Sequence, residues 1–439
     1  MNMMTKKDII EAASLWANYD PNSATSDLVK RLIEEVGSSD EALEKLSQLF
    51  PPDGSRIGFG TAGLRAEMKP GPLGMNDLVI IQATQGLARY CQQNVSTNDG
   101  NNNKKLKAVI GYDHRQNSNL ALSSRTFALL AKLVFMQAGM ECILFDGYVP
   151  TPLVAFATTY FGAAVGIMVT ASHNPKKDAG YKVYWNDGCQ IRPPLDKGIA
   201  TAIELDENLQ PWTNYSEIIV KRQMEHKNEE NCFGLTNPIE TKQAADSYFD
   251  AILKSGLVHE QKNINLEDKS WIQPRIAYSA MHGVGHTWAV RSFQTFGLQA
   301  FKSVPQQENP DYNFPTVPFP NPEEKGALDI AMKFAEENDC NIVLANDPDA
   351  DRLAVAEKSS QSGHWKVFTG DQIGIMLGHW IWRTIGKSSD KVCNSILYIY
   401  FNFLKNDNKT YGETLLILLH VACFYVRINS VIYNALRHC

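Results

Sequence analysis

Two stretches that lie far apart in the sequence contain the side chains that could do chemistry. The first, TASHNP at 170–175, places a serine and a histidine directly after an apolar run at 163–169. The second, DPDADR at 347–352, contains three aspartates at every second position, followed by an arginine. A serine that carries a phosphoryl group needs a metal ion and nearby cations to neutralise the charge of the phosphate. We therefore predict that the two stretches meet around one metal ion and one phosphoryl group.

The acidic stretch is predicted to bind Mg²⁺ through Asp347, Asp349 and Asp351. Three carboxylates this close together are costly to bury without a cation, and their hard oxygen atoms suit Mg²⁺. The spacing also resembles the start of a calcium EF-hand loop. However, Arg352 occupies the position of the required glycine, and Lys358 that of the bidentate glutamate. A solvated acidic turn is the remaining alternative. Arg352 could hold a phosphate against the metal through its planar guanidinium.

Ser172 is the candidate phosphoryl carrier. Asn174 and Pro175 end the preceding strand and favour a turn, so the serine lies on a tight loop at the end of a strand. Open α/β folds place their chemistry at such strand ends. The alternatives are a serine that stabilises the turn or caps a helix, and a hydrolase nucleophile, which the missing G-x-S-x-G motif disfavours. His173 is a rival nucleophile or base, although a lone histidine more often has a structural role.

Three further residues are candidates for the same site. Arg65 ends a glycine-rich stretch at 58–65 and could clamp a phosphate, although such a stretch is often a plain turn. Lys182, ten residues after Ser172, could be a general acid or base if burial lowers its pKa, and an exposed strand position is the alternative. His282, between a predicted strand and two glycines, is the third candidate.

The composition limits the class of protein. The chain has 439 residues, a formal net charge of −6 and eight scattered cysteines without a C-x-x-C pair. The charge argues against a nucleic-acid partner, which would favour a strongly basic face, and the cysteines are interpreted as reduced. The N-terminus lacks the apolar core of a signal peptide. The most apolar run, 414–426, is too short to span a membrane, which takes about 20 residues. We expect a cytoplasmic protein with no membrane partner.

Apolar runs and helical periodicity alternate along most of the chain, which predicts α/β domains in series. Strands are predicted at 164–170, before the serine, and at 341–345, before the aspartates. A helix is predicted at 120–137. Near the N-terminus, the residues at 25–27 are expected to cap a helix at 28–36.

Four motifs make the chain resemble the α-D-phosphohexomutase superfamily. Within it, the chain is similar to the phosphoglucomutase-2 group, which includes phosphopentomutase and glucose-1,6-bisphosphate synthase relatives. The resemblance covers about 53–386, and the order and separation of the motifs match the family. The motifs are GTAGLR at 60–65, TASHNP at 170–175, MHGVG at 281–285 and DPDADR at 347–352.

The resemblance implies a phosphosugar mutase that uses Mg²⁺ and is primed by a sugar bisphosphate, glucose 1,6-bisphosphate. Ser172 would be the phosphoserine that donates its phosphoryl group to a sugar phosphate and then takes back the other phosphate of the resulting bisphosphate. Lys182 would be the acid/base residue. The metal ligands would be a phosphoserine oxygen at Ser172 together with Asp347, Asp349 and Asp351. The substrate-binding residues would be Arg65, Ser172, His173, His282, Asp351 and Arg352.

The resemblance also implies serial three-layer α/β domains with mixed sheets. The third domain is expected to be incomplete and the fourth absent. The expected segments are an N-terminal helical segment at 1–52, domain I with the phosphoserine loop at 53–205, a linker and domain II with the metal-binding loop at 206–363, the start of domain III at 364–386, and a divergent tail at 387–439.

The late part of the sequence departs from the family pattern. The family completes its cleft with a sugar-recognition loop that has paired glutamates and with a second phosphate-binding loop, and neither is found after Gly370. Glu413 stands alone, and the tail is interpreted as an unrelated reading, such as a retained intron or a frameshift. The alternative function is therefore an impaired isoform that binds Mg²⁺ and phosphosugar without turnover. A weaker alternative is slow hydrolysis of the phosphoserine by water. The preference for a hexose or a pentose phosphate stays open.

Overall fold

The structure is a computed structural model, and it describes residues 5–95, 105–205, 236–255 and 274–384. The chain divides into two compact units, each assembled from several segments of the sequence. Among the described residues, the first unit comprises those within 5–149, 154–171 and 175–241, and the second those within 150–153, 172–174 and 242–384. Most of the predicted linker, 206–235, and the predicted tail, 387–439, lie outside the described residues.

The N-terminal segment consists of three helices, α1 (Lys6–Tyr19), α2 (Ser23–Glu35) and α3 (Asp40–Leu49). The expected cap at 25–27 is wrong, because α2 begins earlier and the side chain of Asn22 accepts the N–H of Ala24. Thr25 lies inside the first turn, where its hydroxyl donates to the carboxylate of Asp20. The N-cap of α2 is therefore Asn22, whose side chain accepts a backbone N–H, and it precedes the cap expected at 25–27.

After the N-terminal segment, the first unit contains a mixed five-stranded sheet and further helices. The strands of this unit are β1 (Leu64–Glu67), β2 (Lys107–Tyr112), the short β3 (Gln116–Asn117) and β4 (Leu122–Ser123), β5 (Glu141–Leu144), β6 (Val165–Val169) and β7 (Asp178–Trp185). The further helices are α4 (Asp77–Asn94), α5 (Ser124–Gln137), α6 (Thr151–Tyr160) and α7 (Leu195–Glu204).

The five strands of the sheet are arranged in the order β1-β7-β6-β2-β5. Strands β6 and β5 run parallel to β2, whereas β7 is antiparallel to both of its neighbours. Helix α5 packs against the sheet, and α4 packs against both α5 and α7.

The strand expected before the serine is confirmed as β6, and all five of its residues are buried, as expected for a continuous apolar run in a sheet covered on both faces. The predicted helix at 120–137 is wrong at its start. Ala121 adopts a left-handed φ of 52°, and β4 pairs with β3 before α5 begins at Ser124. Helix α6 was not predicted, because most of its residues are buried and its sequence has no amphipathic period.

The second unit contains another mixed five-stranded sheet. Its strands are β8 (Ile276–Ser279), β9 (Lys302–Ser303), β10 (Ile342–Asn346), β11 (Leu353–Lys358) and β12 (Trp365–Val367). They are arranged in the order β12-β11-β10-β8-β9. Strand β8 runs parallel to β10 and β9, whereas β11 is antiparallel to β10 and β12. The helices are α8 (Pro238–Lys254), whose first residues belong to the first unit, α9 (Gly285–Thr295), α10 (Asp329–Glu337) and α11 (Gly370–Thr384).

The α/β class with mixed sheets is thus confirmed. The strand expected before the aspartates is confirmed as β10, which is buried throughout. The described residues of the expected third domain, 364–384, contain β12 and α11. Among the helices that are described, none is both long and apolar enough to cross a membrane.

Candidate active site

The serine loop connects β6 and β7, and its tip, Ser172–Asn174, belongs to the second unit. Ser172 is 1% exposed and adopts a left-handed φ of 54°, which a residue with a Cβ rarely adopts without support from its surroundings. Its Oγ donates a hydrogen bond of 2.8 Å to Oδ2 of Asp347. His173 Nδ1 lies 3.3 Å from the same Oγ. This contact brings the two stretches together, whereas the metal ion and the phosphoryl group between them stay predictions.

The aspartate loop is a tight turn that follows β10. Ala350 adopts a φ of 52°, and its N–H donates to the carbonyl oxygen of Asp347 at 2.9 Å. Oδ1 of Asp347 accepts the N–H groups of Asp351 and Arg352 at 3.1 and 2.9 Å. The turn thus bends the backbone around the first carboxylate and holds that carboxylate in one orientation.

The three aspartates of this loop fit a divalent cation. Each offers one carboxylate oxygen, and these oxygens lie within 4.8 Å of one another, while Asp347 and Asp349 are fully buried and Asp351 is partly exposed. Like charges this close in a buried place repel one another, and a cation among them removes that cost. The oxygen-only donor set suits Mg²⁺, which prefers carboxylates and water.

Thr151 also contacts the aspartate loop, although no sequence pattern indicated this. It begins α6, belongs to the second unit and is 3% exposed. Its Oγ1 donates to Oδ2 of Asp349 at 2.6 Å, and its N–H donates to the carbonyl oxygen of the same residue at 3.0 Å. Thr151 therefore orients the second carboxylate. The Thr-Pro pair at 151–152 is a helix-start signal, but it does not indicate which distant group the threonine contacts.

Replacing Thr151 with valine is expected to weaken Mg²⁺ binding by about tenfold, because hydrogen bonds that orient a metal ligand typically contribute a factor of that size. The valine keeps the volume of the threonine and removes only the donor to Asp349. Isothermal titration with Mg²⁺ measures the effect. Thr158→Val is the matched control, because Thr158 lies on the same helix and its hydroxyl donates to a backbone carbonyl of that helix. Equal affinities of wild type and Thr151→Val would exclude an orienting role.

The MHGVG motif at 281–285 supports the aspartate loop. The N–H of Val284 donates to the carbonyl oxygen of Pro348 at 2.8 Å. A Cβ added at Gly283 would lie 2.4 Å from Cα and 2.5 Å from the carbonyl oxygen of the same proline, so the close approach requires glycine. His282 has a φ of 60°, is 2% exposed and shares a hydrogen bond of 2.7 Å between its Nε2 and Oγ1 of Thr316.

Burial lowers the pKa of His282, and the nearby Asp311 opposes this only in part. The pKa of histidine in an unfolded chain is about 6.5. When folding lowers this pKa, the neutral side chain contributes its full stabilisation above about pH 6.5. That contribution is lost as the pH falls through the lower pKa of the folded state. We expect wild type to lose more stability than His282→Gln when the pH falls from about 7.5 to about 5.5. Urea unfolding at both pH values measures the difference, and identical losses would contradict the expectation.

The other predicted residues lie at several places. Arg352 is half-exposed, and its Nη1 lies 3.9 Å from a carboxylate oxygen of Glu323. Arg65 lies on β1 and Lys182 on β7, two neighbouring strands of the first unit. Lys182 is 2% exposed, which excludes the alternative of an exposed strand residue. The second unit by itself brings together Ser172 and the aspartates, and the roles of Arg65 and Lys182 stay predictions.

Comparison with family models finds two matching domains. The models describe alpha/beta/alpha domains I and II of phosphoglucomutase/phosphomannomutase, and they match residues 56–210 and 246–361. Together the two matches cover more than half of the chain. The serine loop lies in the first match and the aspartate loop in the second.

Curated relatives extend the comparison. A human phosphopentomutase is 43% identical over 372 residues, which are 84% of this chain and 55% of that protein. A phosphoribomutase from Saccharomyces cerevisiae is 39% identical over 397 residues, 88% of this chain and 57% of that protein. A human glucose 1,6-bisphosphate synthase is 35% identical over 385 residues, which are 87% of this chain and 56% of that protein. The chain thus spans about half the length of the curated relatives that it matches.

Solved structures agree on the fold. A protein assigned as a phosphomannomutase from Thermus thermophilus matches with a TM-score of 0.54 and 20% identity, over 75% of this chain and 62% of that chain. A phosphoglucomutase/phosphomannomutase family protein from Burkholderia thailandensis matches with a TM-score of 0.51 and 18% identity, over 74% of this chain and 58% of that chain. The motifs, the two domain models and this shared fold agree. The chain belongs to the α-D-phosphohexomutase superfamily, and within it to the group that contains phosphopentomutase and glucose 1,6-bisphosphate synthase.

Proposed function

We propose that this chain carries the phosphoryl-transfer site of a phosphosugar mutase, with Ser172 as the phosphoryl carrier. The observation that carries the proposal is the hydrogen bond of 2.8 Å from Ser172 Oγ to Asp347, within a loop whose three carboxylates fit a divalent cation. In the transfer, the bond between Ser172 Oγ and phosphorus breaks as a bond from a sugar hydroxyl oxygen to phosphorus forms. A bisphosphate results, and return of its other phosphate to Ser172 completes the cycle.

Asp347, Asp349 and Asp351 are proposed to hold Mg²⁺, with a phosphoserine oxygen of Ser172 as a further ligand. When bound, the ion neutralises the negative charge of the phosphoryl group. Oδ1 of Asp347 is already occupied by two backbone N–H groups, so Oδ2, the oxygen that contacts Ser172, faces the reacting group. The carboxylate is thus fixed before substrate binds, which reduces the cost of reorganisation.

The remaining predicted residues receive proposed roles in substrate binding. Arg65 and Arg352 would hold phosphate oxygens through their guanidinium groups. His173 is proposed to contact the phosphoryl group, since its Nδ1 lies near Ser172 Oγ. Lys182 would accept the proton of the attacking sugar hydroxyl, and His282, in the MHGVG motif, would contribute to substrate binding. A sugar bisphosphate such as glucose 1,6-bisphosphate would prime the serine, which the named synthase relatives support.

The test is to incubate the purified chain with glucose 1,6-bisphosphate and Mg²⁺ and to search for phosphorylated peptides by mass spectrometry. We expect one phosphate on the peptide that contains Ser172, and none on that peptide in Ser172→Ala. Ser362→Ala, which changes an exposed serine of the second unit, is the matched control and should be phosphorylated like wild type. Absence of phosphate from the wild-type peptide, or a phosphate that persists in Ser172→Ala, would contradict the proposal.

Turnover is a separate measurement, because the chain spans about half the length of its relatives. Conversion of ribose 1-phosphate and of glucose 1-phosphate to the corresponding 5- and 6-phosphates distinguishes a mutase from a chain that is phosphorylated without turnover. The higher identity to phosphopentomutase than to glucose 1,6-bisphosphate synthase favours the pentose phosphate as substrate. The cytoplasmic location stays a prediction.

A further inference from the structure

The chain that leaves β2 forms a buried ion pair which the proposed chemistry does not use. Nε of Arg115 lies 3.4 Å from Oδ2 of Asp113, and both side chains are completely buried. Oδ1 of Asp113 accepts the N–H of Arg115 at 3.0 Å and the hydroxyl of Ser124 at 2.5 Å. Three contacts therefore hold this carboxylate, and the carboxylate in turn holds the guanidinium.

The guanidinium also reaches the backbone that follows the serine. Nη1 of Arg115 donates to the carbonyl oxygen of Pro175 at 2.8 Å and to that of Asp178 at 3.1 Å. On the other side of the serine, the N–H of Asp113 donates to the carbonyl oxygen of Val169 at 3.1 Å. The two residues of the ion pair thus contact the backbone three residues before and three residues after Ser172.

Stability alone is a poor account of this arrangement. A buried ion pair costs a large desolvation energy, and apolar side chains of similar volume often stabilise a fold as well or better. What Arg115 supplies, and an apolar residue would not, is a charged donor with a fixed planar geometry at two carbonyl oxygens. Such bonds fix the position of a backbone segment rather than merely filling space.

We propose that Arg115, held by Asp113, is a positioning residue that sets the backbone of the serine loop and thereby aims Ser172. The inference deepens the proposed function and rests on Ser172 as the reacting group. Ser172 adopts a left-handed φ, and a strained residue of this kind persists only where its surroundings over-determine it. The guanidinium bonds of Arg115 after the serine, together with the backbone bond of Asp113 before it, provide that support. Transfer to and from a serine depends steeply on its position.

The test uses Asp113→Asn together with Arg115→Met. This double variant removes both charges and the guanidinium, but it keeps an oxygen that accepts from Ser124. Two quantities are measured, namely amide hydrogen exchange in the peptides that cover 168–180 and the rate of phosphorylation of Ser172 by glucose 1,6-bisphosphate. We expect exchange in the loop to rise by about tenfold or more, because each lost bond had a charged donor. We expect phosphorylation to slow by about 100-fold, the effect of a small misplacement of a reacting group.

Arg291→Met is the matched control, since Arg291 pairs with Asp246 at 2.5 Å in the second unit. It removes an Arg–Asp pair and should leave exchange at 168–180 unchanged. If the double variant does not fold, Arg115→Lys replaces it, because it keeps the buried charge and loses the planar fork. A smaller rise in loop exchange is then expected.

Exchange in the loop that equals wild type in the folded variant would overturn the inference, whatever the phosphorylation rate. A rise that is uniform across the whole chain would also overturn it, because it indicates general destabilisation. If wild type is never phosphorylated, the proposed function fails, while the exchange measurement still decides whether Arg115 positions the loop.

Discussion

Asp347→Asn is expected to abolish measurable phosphorylation of Ser172 and to weaken Mg²⁺ binding by more than about 100-fold, above the range for groups that only orient a ligand. The substitution keeps the size of the side chain and one oxygen that can accept the N–H groups of Asp351 and Arg352. It removes the negative charge that a metal ion requires and the carboxylate oxygen that faces Ser172. Isothermal titration with Mg²⁺ and the phosphorylation assay measure the two effects.

Stability measurements separate a metal ligand from a merely structural aspartate. In wild type, Mg²⁺ at about 100 times its Kd should stabilise the fold by about 2.7 kcal/mol, whereas Asp347→Asn should gain almost nothing. In EDTA the variant should be at least as stable as wild type, because the repulsion among three close carboxylates is reduced. Asp339→Asn, at an exposed residue of the same unit, serves as the control. A wild-type affinity for Mg²⁺ in Asp347→Asn would exclude this residue as a ligand.

Gly283→Ala is expected to have the second large effect, on both stability and metal binding. The added methyl group would lie 2.4 Å from Cα of Pro348, so the aspartate loop or the MHGVG motif must shift. Overpacking of this kind costs about 1–3 kcal/mol of folding free energy. Because the displaced residue lies between Asp347 and Asp349, the carboxylates lose their mutual arrangement. We therefore expect weaker binding of Mg²⁺ as well as a lower urea midpoint.

Gly374→Ala provides the comparison for this substitution. Gly374 is an exposed residue of α11, and a Cβ added there would meet no atom within 4 Å. Alanine in a helix is favoured over glycine by about 0.5–1 kcal/mol, so this variant should be slightly more stable than wild type. A Gly283→Ala variant that matches wild type in both unfolding and titration would show that the loop can move at no cost.

The contact between the serine and the aspartates was predictable because each group follows a continuous apolar run. Such runs predict buried strands, and chemistry in α/β folds gathers where strands end. The strands β6 and β10 were found where the runs predicted them. The two stretches also concentrate a serine and a histidine at 170–175 and three aspartates and an arginine at 347–352, which an ordinary turn does not require. The roles assigned to Arg65, Lys182 and His282 stay predictions.

Thr151 and Arg115 could not be found in the same way. Each forms hydrogen bonds to groups that are distant in the sequence. Neither the periodicity nor the spacing of residues predicts which distant group a side chain will contact. Helix α6 escaped prediction for a related reason, since a largely buried helix has no polar face to reveal its period. The start of α5 was misplaced because the signal for a helix did not include the left-handed turn at Ala121.

The discontinuous make-up of the second unit has a consequence for how the chain acquires its site. Ser172 is separated from Asp347 by 175 residues, and Thr151 from Asp349 by 198. Contacts of such long range form slowly, because the chain entropy of closing a large loop is lost before the contacts form. During synthesis, the carboxylates emerge from the ribosome well after the serine that they contact. We therefore expect the metal site to assemble late in folding, and a fragment that begins at Lys242 would retain the aspartates but lack both Thr151 and Ser172.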